Sequence, residues 1–145
     1  MRQVVLDTET TGLEPSEGHR IIEIGCVELV ERRLTGNDFH RYLQPDRKVD
    51  AGAEAVHGIT NEFLADKPRF AEVAEEIRQA FQGALPAAYN AAFDRGFILN
   101  EFARADALGG DLPPALREGV TWIDPLVLAR ELFKGQGESR ALGAV

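Results

Sequence analysis

Two carboxylates that follow a short apolar run are the residues of this sequence best suited to chemistry. Asp7 and Glu9 come directly after Val4, Val5 and Leu6 and lie two residues apart. Side chains at that spacing lie on the same face of a β-strand, so both carboxylates can converge on one point. Carboxylates that close repel each other unless a cation lies between them, and hard divalent ions prefer oxygen ligands. A solvated acidic strand end has the same pattern, so the pair alone leaves both interpretations open.

A third carboxylate, Asp94, lies far along the chain at the predicted start of a helix. It ends the run Asn90-Ala91-Ala92-Phe93-Asp94, which follows a second short apolar run. Asp94 could serve only to stabilise the positive end of the helix dipole. The small residues Ala91 and Ala92 beside it favour a close approach to another group instead. Three carboxylates from separate elements suit two magnesium ions that are bridged by a substrate phosphate.

The elements that position these residues follow from periodicity and from turn residues. Apolar runs predict strands at 4–6, 21–30 and 39–43, and their short connections predict an antiparallel meander. The segment 44–68 is broken by proline and glycine and is predicted to be irregular. Helical spacing then predicts helices at 69–82 and 91–107, with short strands at 85–89 and 122–123 and a last helix through Phe133. Strands first and then alternating helices and strands indicate a mixed α/β sheet.

Composition limits the class of protein. The 145 residues are 44% hydrophobic and 28% charged, which is ordinary for one soluble domain. No apolar stretch approaches the roughly 20 residues that span a bilayer, and no secretion signal is visible, so a cytoplasmic protein without membrane contact is expected. Cys26 is the single cysteine, which excludes internal disulfides and thiolate zinc clusters, and its apolar neighbours predict a buried packing residue.

The net charge of −8 limits the partners. Many phosphate contacts require lysine and arginine, so this charge excludes a non-specific duplex binder of that kind. Action on the end of a nucleic acid stays open, provided that divalent metal ions supply local positive charge and that a partner delivers the substrate.

Two motifs resemble those of a known family. DTETTG at 7–12 and NAAFD at 90–94 resemble the first two motifs of the DEDD 3′→5′ exonucleases. The runs HRIIEIGCVEL, RRLTGNDFHRYLQPDR, AVHGIT and FLADKPRFAEVAEE are similar to the epsilon proofreading subunits of bacterial DNA polymerase III. This resemblance covers nearly the whole chain. It implies a ribonuclease H-like α/β fold with a mixed five-stranded sheet flanked by helices, and one exonuclease domain, 1–145, that is incomplete at its C-terminus.

The resemblance also implies the reaction and its cofactors. Asp7, Glu9 and Asp94 match the catalytic, metal-binding acids, and Asp7 and Glu9 would contact the substrate as well. Asp7 would bridge two Mg²⁺ or Mn²⁺ ions roughly 3.5–4 Å apart, Glu9 would complete the first site and Asp94 would help to hold the second. The expected activity is 3′→5′ proofreading hydrolysis of DNA that releases nucleoside 5′-monophosphates.

Substrate contacts are carried over from the same motifs. Thr10 would offer its backbone N–H to the 3′-terminal nucleotide. Leu13, Val56 and Phe93 would form an apolar wall for its base and sugar, and Asn90 would shape the floor of the site.

Three histidines and one further aspartate receive different interpretations. His57 matches a substrate-contacting histidine of the family, although its loop position alone would favour the capping of backbone groups. His19 and His40 match no motif and are expected to have surface or strand-packing roles. Asp124 precedes Pro125, a pattern typical of a helix N-cap, so we expect capping rather than catalysis.

The family's third motif has no counterpart in the sequence. That motif supplies a general-base histidine and a last aspartate on a C-terminal helix, and residues 139–145 resemble only the segment that leads to it. We therefore expect a shortened form whose parent is an exonuclease and which is itself inactive or weak, since loss of a general base removes roughly 10²–10⁴-fold in rate.

The expected partners are a single-stranded or frayed 3′ DNA end, the polymerase III alpha subunit and the other core subunits. A sliding-clamp contact, if present, would lie beyond Val145. Two alternatives stay open: an exonuclease of the same superfamily that acts on RNA ends, and a non-catalytic module that binds the polymerase.

Overall fold

Strand β1 (Arg2–Thr10) is an inner strand of a five-stranded sheet in the computed structural model, which describes residues 1–105, 112–117 and 119–125. Its side chains alternate, with Leu6 and Thr8 buried on one face and Asp7 exposed on the other. A strand shows this two-residue alternation when one of its faces packs on a core. The alternation places Asp7 and Glu9 on one face, as their spacing predicts.

The first strands form the predicted antiparallel meander. β1 pairs with β2 (Ile21–Val30), and Asp7 lies opposite Gly25. The other edge of β2 pairs with β4 (Phe39–Tyr42) near its start and with the short strand β3 (Arg33–Leu34) near its end. β3 has only two residues, too few for an alternation to be detected in the sequence.

A parallel strand makes the sheet mixed. β5 (Leu85–Ala87) pairs with β1 on the edge opposite β2, so β1 has an antiparallel neighbour on one side and a parallel neighbour on the other. Where the sequence predicts a strand at 122–123, Ile123 forms a single parallel bridge with Ala87. The predicted α/β class with a mixed five-stranded sheet is confirmed.

Two long helices cover the buried face of the sheet. α3 (Phe70–Phe81) and α4 (Ala91–Ala105) begin within one residue of their predicted starts. Their aromatic and aliphatic side chains pack against β1 and β2 in the main core, which includes Cys26. Burial raises the pKa of the Cys26 thiol to about 12, in keeping with a packing residue. None of the described helices has the length and apolar character that crossing a membrane requires.

The prediction that 44–68 is irregular is wrong, because this segment contains α1 (Ala51–His57) and α2 (Asn61–Leu64). Gly58 ends α1 in the left-handed conformation, and the Thr60 hydroxyl accepts a hydrogen bond from Phe63 at the start of α2. A small apolar cluster anchors both helices; its buried members are Ile22, Val49 and Leu64. The helices depend on this tertiary cluster, and helices of seven and four residues have too little periodicity of their own to be predicted.

Candidate active site

The carboxylates of β1 lie near its C-terminal end, where the pairing with β2 shifts register between Glu9 and Thr10. Asp7 is exposed, and Glu9 is partly buried on the same face. Burial raises the pKa of Glu9; the nearby imidazole of His57 opposes the rise, and the charges of Asp7 and Glu23 add to it. Asp7 and Glu9 are therefore close enough to repel each other, as their spacing predicts.

Asp94 reaches this site from the buried side of β1. It lies in the first turn of α4, is 5% exposed, and accepts a short hydrogen bond from the hydroxyl of Thr8. Burial raises the pKa of Asp94 to about 6; hydrogen bonds from Thr8 lower it, while the charges of Asp7 and Glu9 raise it further. The three acids, distant in sequence, therefore act on one another electrostatically.

Thr8 is a site residue that the sequence reasoning did not single out. It lies between Asp7 and Glu9, so strand alternation turns its side chain to the opposite, buried face. A buried hydroxyl needs a hydrogen-bond partner, and the helix packed on that face supplies Asp94. The alternation was therefore the signal that could have identified it.

The donor chemistry of the three acids fits divalent cations. All of them present carboxylate oxygens, and none takes part in an ion pair within the part of the chain that the structure describes. Among residues 1–105, 112–117 and 119–125, no three His, Cys, Asp or Glu side chains have the spacing of a metal site. Asp7 and Glu9 share a face, whereas the carboxylate of Asp94 is engaged with Thr8.

A cavity of about 420 Å³ adjoins the carboxylates, and we call it the apolar cavity. Its lining residues are Glu9, Thr10, Gly12, Leu13, Asp50, Gly52, Ala53, Val56, His57 and Phe93. Leu13 is 78% exposed and Val56 83% exposed, so two large apolar side chains face solvent at one concave site. Such an arrangement is typical of a surface that contacts a ligand. The cavity brings together six of the sequence-predicted site residues, from β1, the following loop, α1 and α4.

Asp7, Asn90 and Asp94 are the predicted site residues that do not line the apolar cavity. Asp7 lines an adjoining hollow of about 80 Å³ together with Thr8, Glu9, Glu23 and His40. Glu9 therefore borders both spaces and connects the carboxylates with the apolar wall.

His57 is held by two backbone groups. Its Nδ1 accepts a hydrogen bond from the N–H of Ile59 at 3.0 Å, and its Nε2 lies 3.2 Å from the carbonyl oxygen of Thr10. A carbonyl only accepts, so Nε2 carries the proton and Nδ1 is the acceptor. His57 thus performs the capping that its loop position suggests and also lines the apolar cavity, but neither nitrogen is available to accept a proton from water.

His19 is buried, so the expectation of a surface or strand-packing role is wrong. Its Nδ1 lies 2.8 Å from the Thr11 hydroxyl, and its Nε2 lies 3.3 Å from a carboxylate oxygen of Asp50. A Cβ atom on Gly12 would lie 2.3 Å from the His19 ring, so only glycine fits there. His19 thereby fixes the loop that carries Leu13. His40 pairs with Glu23 at 2.6 Å on the exposed side of the sheet.

Asp124 caps the start of α4, a helix from another part of the chain. Its two carboxylate oxygens accept hydrogen bonds from the backbone N–H groups of Asn90 at 3.0 Å and Ala91 at 2.8 Å. These groups begin α4, the helix that carries Asp94. The predicted helix after Pro125 lies outside the described residues, as do residues 139–145.

Comparison with known proteins agrees with this geometry. The sequence profile of the Exonuclease family matches residues 4–136. The chain is 52% identical over 142 residues to DNA polymerase III subunit epsilon of Escherichia coli (strain K12), covering 95% of this chain and 57% of that protein. It is 41% identical over 138 residues to the same subunit of Rickettsia conorii, covering 93% and 57%. The chain therefore spans a little over half the length of these curated relatives.

Solved structures share the fold. Exonuclease X in complex with 5′-overhanging duplex DNA is 28% identical, with a TM-score of 0.64 over 96% of this chain and 68% of that chain. Exonuclease I is 23% identical, with a TM-score of 0.78 over 91% of this chain and 30% of that chain, which shows the fold alone. The neighbours have the ribonuclease H-like fold that the motifs imply. With a family profile that covers most of its length and a sheet that superposes on these enzymes, the chain belongs to the Exonuclease family.

Proposed function

We propose that this chain is the catalytic part of a 3′→5′ exodeoxyribonuclease that proofreads for a bacterial replicative DNA polymerase. The observation that carries the proposal is the apolar cavity beside a pair of carboxylates on one strand face. The cavity suits an unpaired base and sugar, and the carboxylates suit the adjoining phosphate once cations are bound. Similarity to the epsilon subunits supports DNA as the substrate and a polymerase III core, with its alpha subunit, as the partner.

In this proposal Asp7, Glu9 and Asp94 hold two divalent ions, Mg²⁺ or Mn²⁺, which would supply positive charge at the scissile phosphate. Water attacks the phosphorus, the bond to the 3′ oxygen of the preceding nucleotide breaks, and a nucleoside 5′-monophosphate leaves. The chain's own part is to place the phosphate beside Asp7 and Glu9 and to keep the terminal base off its template.

The terminal nucleotide would be held mainly by apolar contact. Leu13, Val56 and Phe93 present their side chains to the cavity. The Thr10 hydroxyl donates to the carbonyl of Gly12 at 2.6 Å, so a contact from Thr10 to the substrate would come from its backbone. Apolar contacts do not distinguish bases, as a proofreader that removes any mispaired nucleotide requires.

The net charge of −8 fits a site that holds only a chain end. Weak intrinsic affinity for duplex DNA leaves correctly paired ends with the polymerase. A mispaired terminus costs less to unpair, so it reaches the site more often. We therefore expect a preference for frayed over paired ends.

The 145 residues contain histidines at 19, 40 and 57 only. His19 and His57 are engaged with loop groups, and His40 is paired with Glu23. Without a histidine placed to take a proton from water, we expect these residues alone to cleave DNA slowly at most. The full-length protein is therefore the form to assay.

The test is cleavage by the full-length protein with Mn²⁺ of 5′-labelled oligonucleotides. The expected result is stepwise release of mononucleotides from the 3′ end, faster from single-stranded than from fully paired DNA. Asp7→Asn should abolish release. Asp38→Asn, which changes an exposed acid in a cavity that Arg2 also lines at the other end of β1, should not. Equal rates on paired and unpaired ends would contradict proofreading, and faster release from a matched RNA would favour the RNA-end alternative.

A non-catalytic module that binds the polymerase is the second candidate. The observation that favours it is the carboxylate of Asp94, which is engaged with Thr8 and does not join a three-ligand group among the described residues. Titration with Mn²⁺ separates the two functions. If Asp7→Asn leaves the Mn²⁺ affinity of the protein unchanged, the binding module is the better description.

A further inference from the structure

Asp124 does not line the apolar cavity, yet it is bonded to the turn on which part of the site is built. Each of its carboxylate oxygens accepts one backbone N–H, Oδ1 from Asn90 and Oδ2 from Ala91. The first N–H groups of a helix have no partner within the helix and need one from elsewhere. Asp124 supplies that partner from a segment more than thirty residues away in the chain.

The turn before α4 needs such a partner because its backbone is unusual. Asn90 has a positive φ of 57°, in the left-handed region, where a residue other than glycine is held by its surroundings. The carbonyl of Asn90 then accepts the N–H of Phe93 at 3.0 Å. Asp124 fixes the two N–H groups on either side of this change in chain direction.

Asp124 is itself placed by the sheet. The residue before it, Ile123, donates its N–H to the carbonyl of Pro86 and accepts the N–H of Ala88, both at 3.0 Å. These bonds tie 123 to the end of β5, so the carboxylate of the next residue is presented to the start of α4. The start of α4 is thus held in place by the same sheet that carries Asp7 and Glu9.

The turn that Asp124 holds carries two residues of the site. Phe93 lines the apolar cavity, and Asp94 follows it, one helical turn after Ala91. We propose that Asp124 is a positioning residue, which acts through the backbone of Asn90 and Ala91 to hold Asp94 and Phe93 at the end of β1. This inference rests on the proposed function for its catalytic consequence, but its geometric part can be measured without catalysis.

The test compares Asp124→Asn with Thr60→Ala in the full-length protein. Asparagine keeps one acceptor oxygen and turns an NH₂ group toward the other backbone N–H. Thr60→Ala removes the side-chain cap of α2, which carries no residue of the site, and so matches the loss of a helix cap. Amide hydrogen exchange of Asn90 and Ala91 is measured first. We expect protected amides in the wild type, and lost protection in Asp124→Asn but not in Thr60→Ala.

Mn²⁺ binding and cleavage are measured on the same proteins. We expect Asp124→Asn to weaken Mn²⁺ binding roughly tenfold, as is usual for the loss of a group that orients a metal ligand, and to lower kcat more than it changes KM. Raised Mn²⁺ should restore part of the activity. Unprotected wild-type amides, or unchanged Mn²⁺ affinity and kcat in Asp124→Asn, would overturn the positioning role. A wild type that neither binds Mn²⁺ nor cleaves DNA, with the amide result as expected, would overturn only the proposed function.

Discussion

Strand β1 begins with Arg2, a cation that forms hydrogen bonds with a carboxylate and with backbone carbonyls of the protein. Arg2 donates a hydrogen bond to Glu28 at 2.6 Å. It also donates to the carbonyl oxygen of Ala80, in the last turn of α3, and to that of Gln82, just after the helix. Hydrogen bonds from Arg2 and Thr35 lower the pKa of Glu28. Charge at this end of the strand joins elements together and favours the ionised forms.

The other end of the same strand carries charge of the opposite kind. Within the described residues, no ion pair reaches Asp7, Glu9 or Asp94, and burial raises the pKa of both Glu9 and Asp94. The comparison indicates that a charge with protein partners has a structural role. Like charges that lack protein partners and repel one another are available to bind a ligand. Four changes test this contrast.

The largest expected effect is on cleavage. Glu9→Gln should lower 3′-end cleavage by the full-length protein by about 10²-fold or more, because glutamine keeps the shape and removes the negative charge that, in the proposed function, would hold a divalent ion at the phosphate. Glu28→Gln is the same change at the other end of the strand and should leave cleavage unchanged while lowering the temperature of unfolding. Single-turnover rates and thermal unfolding measure both; similar losses of cleavage in the two variants would break the contrast.

The second effect is on stability. The pKa of Asp94 is raised from 3.8 to about 6, so between these values the folded protein holds a proton that the unfolded chain has released. Stability therefore falls as pH rises through this window, and the full cost, up to about 3 kcal/mol, is present above pH 6. Asp94→Asn should stabilise the metal-free protein at pH 8 and not at pH 4. Urea unfolding with a chelator measures this, and an equal gain at both pH values would contradict it.

The third effect is a loss of stability at the Arg2 end of the strand. Arg2→Met removes the hydrogen bonds to Gln82 and Ala80 and leaves Glu28 without its cation. We expect a loss of about 1–2 kcal/mol in the free energy of unfolding with unchanged cleavage. Urea unfolding and the cleavage assay on one preparation check it. A marked loss of cleavage would show that the two ends of the strand are coupled.

The smallest effect concerns Thr8. Its hydrogen bond lowers the pKa of Asp94, so Thr8→Val should move that pKa upward from about 6. If cleavage needs the carboxylate form, the acidic limb of the pH–rate profile moves to higher pH in Thr8→Val. Thr8→Ser keeps the hydroxyl and should keep the wild-type profile. An identical pH–rate profile in all three proteins would show that Thr8 does not influence cleavage.

Local patterns predicted much of the fold. The spacing of Asp7 and Glu9 placed them on one strand face, and the apolar period of 69–82 located α3 within a residue at each end. Both features arise from the chain's own periodicity, which long elements carry in several repeats. α1 and α2 were missed because they are short and depend on contacts with Ile22 of strand β2.

Residues whose role depends on distant neighbours could not be assigned from local pattern. Asp124 precedes a proline, a pattern that points only to the helix after it, and nothing in the local sequence indicates that its carboxylate bonds the start of α4. His19 has no motif, and its ring is buried against Gly12 and lies near Asp50, which is distant in the sequence. In both cases the partner comes from outside the local sequence, and only the folded chain brings the two together.

The parallel pairing of β1 with β5 also has a consequence for the growing chain. Gln3 and Leu85 are partners across one ladder, so at roughly 5–20 residues per second β1 waits about 4–16 seconds after synthesis before that partner exists. During this interval β1 can pair only with β2, and one edge stays open to other strands. We therefore expect nascent protein to be most prone to misassociation before residue 87 has left the ribosome, while one edge of β1 has no partner strand and the helix with Asp94 has not been synthesised.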